Sequence, residues 1–298
     1  MNIDGVININ KPEGWTSQDV CAKLRNRLHI KKIGHTGTLD PMATGVLPVC
    51  AGKATRIIEY YDLDRKAYHA SMKLGITTDT LDITGDVLDT AGYAEVSEKA
   101  VREAFKAYTG TVSQVPPRYS ALKVNGKRAY ELAREGKDFG LSARETEIFS
   151  NEISRLDLEK GEIEFDVCCS KGTYIRTICD DIGRALGCGA VMTALCRTAS
   201  GCFSISDAVD METLASISDE ELQGLFAPAD ETLVNLGKAL LDDNRVTAFR
   251  NGNSSWMSSC RIAEPSRFRS IYRVYSDGAF LGIGAVEGES IVPVKVLV

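Results

Sequence analysis

The sequence predicts an α/β (α+β) chain that ends in a small β-domain, and three observations lead there. Residues 67–74 (AYHASMKL) alternate apolar and polar side chains, and 162–169 (EIEFDVCC) do so again, the pattern of half-buried strands. Residues 16–28, 96–108 and a segment from about 174 instead place apolar residues at helical spacing, which marks helices. After about residue 231 the pattern changes to short β-rich pieces, RSIYRVYS, AFLGIGAV and IVPVKVLV, with Asp277-Gly278 as a hairpin turn between the first two.

In chain order, residues 3–9 (IDGVINI) read as a short strand. The helix over 16–28 has Thr16 or Ser17 as its cap and aligns Val20, Leu24 and Leu28, leaving its basic residues largely exposed. In 67–74, Tyr68, Ala70, Met72 and Leu74 share one face, and His69, Ser71 and Lys73 the other. The helix over 96–108 carries Val96, Ala100, Val101, Ala104, Phe105 and Tyr108, with Gly110 beyond its end. The strand at 162–169 leads through SKGT into a helix near Tyr174, on which Ile175, Ile178, Ile182 and Leu186 share a face. These changes divide the chain into 1–231 and a β-domain at 232–298.

A chain of 298 residues has room for one large domain and a small one. Apolar residues make up 44% and charged residues 26%, the ordinary globular balance. No apolar run is long enough for a membrane span. The opening MNIDGVININKPEG has neither a basic nor an apolar signal region, so the expected location is the cytoplasm. Nine cysteines without a Cys-x-x-Cys pair, beside three histidines, do not make a metal site and suit a reducing compartment.

The net charge of −6 argues at first against nucleic acid, but the charge is unevenly spread. Lys23, Arg25, Arg27, Lys31 and Lys32 form one basic stretch; Arg118, Lys123, Lys127, Arg128, Arg134 and Lys137 form another. Positions 198–237 hold no Lys or Arg. Such stretches are either solvated faces or contacts for phosphates, which respond to local potential.

The run from Gly34 to Gly45, GHTGTLDPMATG, is a tight glycine-rich loop with Asp40 near its centre. Two readings of Asp40 are open. Asp before Pro is a good helix N-cap, and a carboxylate in a tight loop is also a candidate nucleophile. Neither an ATP-binding loop nor a dinucleotide fingerprint occurs.

Four further motifs follow in order with this loop: Lys11-Pro12-Glu13-Gly14-Trp15-Thr16-Ser17, the run from Leu74 to Asp82 (LGITTDTLD), the run from Pro116 to Lys123 (PPRYSALK), and Ser170-Lys171-Gly172-Thr173-Tyr174-Ile175-Arg176. Together they resemble the bacterial tRNA pseudouridine-55 synthase (TruB) family, over about positions 3–203 and more weakly beyond. The resemblance implies a mixed, mostly antiparallel central sheet of the pseudouridine synthase type, with 232–298 as a PUA-like RNA-binding β-domain. It implies isomerisation of the T-loop uridine at tRNA position 55 without metal or organic cofactor, and a second capacity as a tRNA folding chaperone. Asp40 matches the family nucleophile, Tyr68 the tyrosine that stacks on the base and helps move the C5 proton, and Arg176 the arginine that pairs with the aspartate. His35 matches the histidine that occupies the place the flipped base vacates; Tyr174 and Leu195 match base-contacting positions. Lys11, Lys123 and Lys171, each inside a matched motif, are substrate-binding candidates. The stretch of about 118–150 falls where the family carries an RNA-gripping insertion. The implied partner is the tRNA T-arm stem-loop, bound by a monomer without an obligatory protein partner. Two positions depart from the family pattern: Cys196 stands where a basic residue is usual, and Arg118 where an apolar one is common. A guide-RNA-dependent synthase is the alternative that shares the catalytic motif.

Overall fold

The structure, a computed structural model, describes residues 3–61, 65–268 and 270–297. Arg269 and Val298, at the ends of two expected strands, lie outside them. In chain order the main elements begin with β1 (Gly5–Lys11), α1 (Ser17–Leu28), β2 (Ile33–His35), β3 (Thr44–Ala51) and β4 (Lys66–Leu74). Next come α2 (Glu98–Ala107), β5 (Gly110–Gln114), α3 (Ala129–Arg134), β6 (Arg144–Asp157), β7 (Glu162–Cys169), α4 (Ile175–Ala185) and β8 (Ala190–Ser200). The last are β9 (Gly237–Leu241), β10 (Cys260–Glu264), β11 (Ile271–Ser276), β12 (Ala279–Glu287) and β13 (Ser290–Val296). Among the described residues no helix is long and apolar enough to cross a membrane.

The chain divides into two compact units. The first comprises 1–40, 46–64 and 200–298; the second comprises 41–45 and 65–199.

In the first unit β1 lies between β3 and a short strand at 209–210, to which it is parallel, while β2 pairs antiparallel with β3. Helix α1 starts where its sequence says it should. Thr16 accepts from the Asp19 amide at 3.1 Å, and the Asp19 carboxylate accepts from the Thr16 amide at 2.8 Å, a capping box. Val20, Leu24 and Leu28 are buried, a gain of about 1.5–3 kcal/mol for each. Lys23, Lys31 and Lys32 are exposed, but Arg27 is drawn onto the acidic stretch, donating to the Ile217 carbonyl and to Asp219 at 3.4 Å.

The C-terminal strands form a sheet of their own in the order β13, β12, β11, β9, β10, with a short strand at 255–256 beside β13. Among the described residues its strands pair antiparallel, except that β9 runs parallel to β11. The β11–β12 hairpin turns on Asp277 (φ 45°) and Gly278 (φ 76°) as the sequence predicts. Val274, Leu281 and Ile291 pack with Phe249 and Leu241 in one core. A second core joins Ile283 and Leu297 of this segment to Val6, Val46, Cys50 and Ile57.

The second unit holds the order β8, β4, β7, β6, β5, with β4–β7, β7–β6 and β6–β5 antiparallel. At its other end β8 meets the start of β3 in parallel, Cys196 opposite Thr44 and Arg197 opposite Gly45. The sheet is therefore mixed and mostly antiparallel, as expected. Strand β4 alternates buried and half-buried residues along its whole length, so the apolar face read from the sequence is the packed one. Helix α2 is capped by Ser97, which accepts from the Ala100 amide at 3.2 Å.

Candidate active site

The loop that carries Asp40 is built by the first unit. Strand β2 enters it at His35, and the Thr36 amide donates to the Pro48 carbonyl at 3.0 Å, extending the β2–β3 ladder by one residue. Thr36 and Leu39 are buried, and Asp40 is half-buried. No helix follows Asp40: Pro41 and Met42 form a turn, and β3 resumes at Thr44. The helix-cap reading of Asp40 therefore falls, because there are no first-turn amides for the carboxylate to receive.

Two consecutive residues of α1 hold the loop. Ser17, buried, accepts from the Leu39 amide at 2.9 Å and returns its hydroxyl to the Leu39 carbonyl at 3.3 Å. Gln18 places its amide nitrogen 3.1 Å from Nε2 of His35. Lys11 is wholly buried, and its ammonium donates to the carbonyls of Pro12 (2.9 Å) and Trp15 (2.6 Å). That closes the turn leading into α1.

The second unit carries the other candidates. Tyr68 lies on the buried face of β4, opposite Val167 of β7. Arg176 sits in the first turn of α4 and is only 5% exposed. Its guanidinium donates to the Thr80 carbonyl and to the Tyr119 carbonyl, both at 2.9 Å, and lies 3.6 Å from the Asp82 carboxylate. Asp82 is buried too, and accepts from the Thr84 amide (3.0 Å) and the hydroxyls of Thr80 (2.9 Å) and Thr84 (2.6 Å). Two buried ions at this distance with their remaining valences satisfied hold a geometry rather than add stability. The turn that presents Asp82 needs Leu81 at φ 63°, a left-handed conformation that costs a leucine energy. The Tyr119 hydroxyl is bonded to Asp79, which pushes it above the usual phenol range.

Tyr174 precedes α4 and is held by its backbone: its amide donates to Gln114 Oε1 at 3.1 Å, and Gln114 Nε2 donates to its carbonyl at 3.3 Å. Leu195 is buried on β8. Lys171 is exposed in the turn before α4. Lys123 is exposed in a hairpin pairing 123–124 with 127–128, whose turn is Asn125 (φ 51°) and Gly126 (φ 85°). Gly45 has φ 99°, and a side chain there would run into the backbone of Arg197. Arg197 itself is buried, and Cys196 beside it is half-buried.

Thus the structure gathers Lys11, His35 and Asp40 around the start of α1, and Tyr174 and Arg176 at the start of α4. Tyr68 and Leu195 stand on strands of the second unit, and Lys123 and Lys171 on exposed turns. Sequence reasoning passed over Asp82, Ser17 and Gln114. Asp82 and Ser17 lie inside motifs already singled out, and the signal was that each motif ends on a polar residue given no part in the candidate site. Gln114 carries no comparable signal. The Asn125-Gly126 hairpin was equally readable.

Residues 25–175 match the TruB family pseudouridylate synthase (N terminal domain), and 176–234 match the tRNA pseudouridylate synthase B C-terminal domain. The chain belongs to the TruB family. A tRNA pseudouridine synthase B of Clostridium perfringens (strain 13 / Type A) is 43% identical to it over 284 residues, 95% of each chain. One of Clostridium tetani (strain Massachusetts / E88) is 39% identical over 296 residues, covering 99% of this chain and 100% of the relative. Among solved structures, a chain in the crystal structure of a Cbf5-Nop10-Gar1 complex superposes with a TM-score of 0.76 at 27% identity, over 99% of this chain and 85% of that one. A chain of the archaeal box H/ACA sRNP Nop10-Cbf5 complex gives 0.75 at 25% identity, over 99% and 86%. The sheet from β9 to β13 lies beyond the two matched TruB stretches, yet the C. tetani alignment spans almost the whole chain.

Proposed function

We propose that this chain isomerises the uridine at position 55 of the tRNA T-loop to pseudouridine. It works alone, as a monomer, on the T-arm stem-loop in the cytoplasm. One observation carries the reading: Asp40 stands intact in its loop in a chain that aligns almost end to end with tRNA pseudouridine synthases B. The reaction breaks the N1–C1′ bond, turns the uracil and forms a C5–C1′ bond; C5 gives up its proton and N1 ends with one. Substrate and product are isomers, so no group donor and no oxidant enter the balance.

Asp40 acts as the nucleophile. Tyr68 stacks on the base and takes part in moving the C5 proton. Arg176 supplies a fixed cation that cannot lose its charge. Extruding a stacked uridine costs a few kcal/mol; His35 occupies the space it leaves, and Tyr174 and Leu195 receive the base. Lys123 and Lys171, both exposed, meet phosphates. Lys11 serves from inside, through the turn its ammonium closes. The stretch of about 118–150 grips the RNA, and the sheet from β9 to β13 provides a further RNA contact. Nine cysteines, six of them buried, agree with a reducing cytoplasm.

Tritium release from tRNA labelled at uridine C5, with purified protein alone, tests the reading. Release from position 55 by the wild type and none by Asp40→Asn is the expected result. A folded wild type that binds tRNA but releases nothing would turn the assignment towards a guide-dependent synthase that needs protein partners, in line with the likeness to a chain seen in a Cbf5-Nop10-Gar1 complex. Refolding of misfolded tRNA by Asp40→Asn would separate a chaperone activity from the chemistry.

A further inference from the structure

The start of α1 does more than begin a helix. Its second residue, Gln18, reaches His35 at one end of the glycine-rich loop, and its first, Ser17, brackets Leu39 at the other, immediately before Asp40. The Ser17 hydroxyl both accepts from and donates to the same backbone residue, so Leu39 cannot rotate its amide or its carbonyl without breaking a buried bond. The helix start is itself pinned, by the Thr16–Asp19 capping box on one side and the Lys11 ammonium on the Trp15 carbonyl on the other.

We propose that Ser17 and Gln18 are positioning residues with separate duties: Ser17 sets the nucleophile Asp40, and Gln18 sets His35 for extrusion of the target base. The proposal rests on the roles given above to Asp40 and His35, and goes beyond them by assigning how each is aimed. A displaced nucleophile loses rate without losing RNA affinity. A displaced His35 makes flipping harder, and that deficit shrinks when the target is already unstacked.

The experiment is single-turnover tritium release with two T-arm stem-loops, one unmodified and one in which an abasic residue replaces the neighbour on which the target base stacks. RNA affinity and thermal unfolding are measured alongside. Ser17→Ala is expected to be about tenfold to a hundredfold slower on both RNAs at unchanged affinity. Gln18→Ala is expected to be about tenfold slower on the unmodified RNA and close to wild type on the abasic one. Wild-type rates in either variant, or equal losses by both variants on both RNAs, would overturn the proposal. Should Ser17→Ala fail to fold, the Gln18 arm decides, because that side chain is exposed. A wild type inactive on both RNAs would instead remove the reading of Asp40 and His35 and the proposal with it.

Discussion

The loop around Asp40 and the helix start around Arg176 solve one problem, fixing a charged side chain, by different means. Asp40 is aimed through its neighbour: a neutral hydroxyl grips the Leu39 backbone. Arg176 is gripped by its own charge, with two carbonyls and a buried carboxylate around the guanidinium. The contrast teaches where substitutions hurt. In the first region an altered side chain should cost rate and spare the fold; in the second it should cost the fold as well, since removing one member of a buried ion pair is expensive.

Asp40→Asn probes the first half of the comparison and should show the largest effect. Turnover falls on the order of 10⁴-fold or more, while stability in urea stays within about 1 kcal/mol because Asn keeps the shape. Unfolding of this variant under mild denaturant would break the contrast at once. Asp82→Ala probes the second half: it removes the buried Asp82 carboxylate from beside the Arg176 guanidinium and should cost about 3–5 kcal/mol of stability. A midpoint of urea unfolding equal to wild type would show that the pair is not needed to hold the helix start. Arg176→Lys keeps the charge but loses the rigid planar fork that presents separate N–H donors to the two carbonyls. We expect turnover to drop about 10²-fold, with a smaller stability loss than in Asp82→Ala; near-normal turnover would reduce the guanidinium to a point charge.

Further along α4 lies a gentler case, Asp181. Burial is the main cause that holds its carboxyl above the usual range, against the lowering effect of the Tyr108 hydroxyl. The folded chain thus binds this proton more tightly than the unfolded chain does, so stability falls as pH rises from the ordinary carboxylate value through the raised one. Asp181→Asn should therefore raise the melting temperature at pH 7, with the gain fading towards pH 3 (about 1 kcal/mol at most). A gain that persisted unchanged in acid would assign the effect to packing.

How much of this was legible beforehand depends on how far each feature reaches along the chain. The alternation in β4, the cap of α1 and the Asp277-Gly278 turn are written in residues a few positions apart, and they stand where the sequence put them. The parallel meeting of β8 with the start of β3 joins residues about 150 positions apart and leaves no local mark. Burial of Lys11, Asp82 and Arg197 was invisible for a similar reason. Such residue types are rarely buried unless partnered, and the carbonyls that hold Lys11 and the hydroxyls that hold Asp82 become visible only once the chain is folded. Asp40 was ambiguous locally, since cap and nucleophile share the Asp-Pro signature; the strand that follows it decided against the cap.

The core that joins Val6, Val46 and Ile57 to Ile283 and Leu297 also has a history in time. During synthesis the first of these side chains leave the ribosome more than 200 residues before the last. At about 5–20 residues per second that is a wait on the order of ten seconds or longer. Through that interval residues 65–199 already have their own strand partners at hand, whereas the segment bearing the Asp40 loop has an apolar face without its complement. The order of translation therefore makes the half that carries Asp40 the last to close, and the half most in need of shelter while the chain is being made.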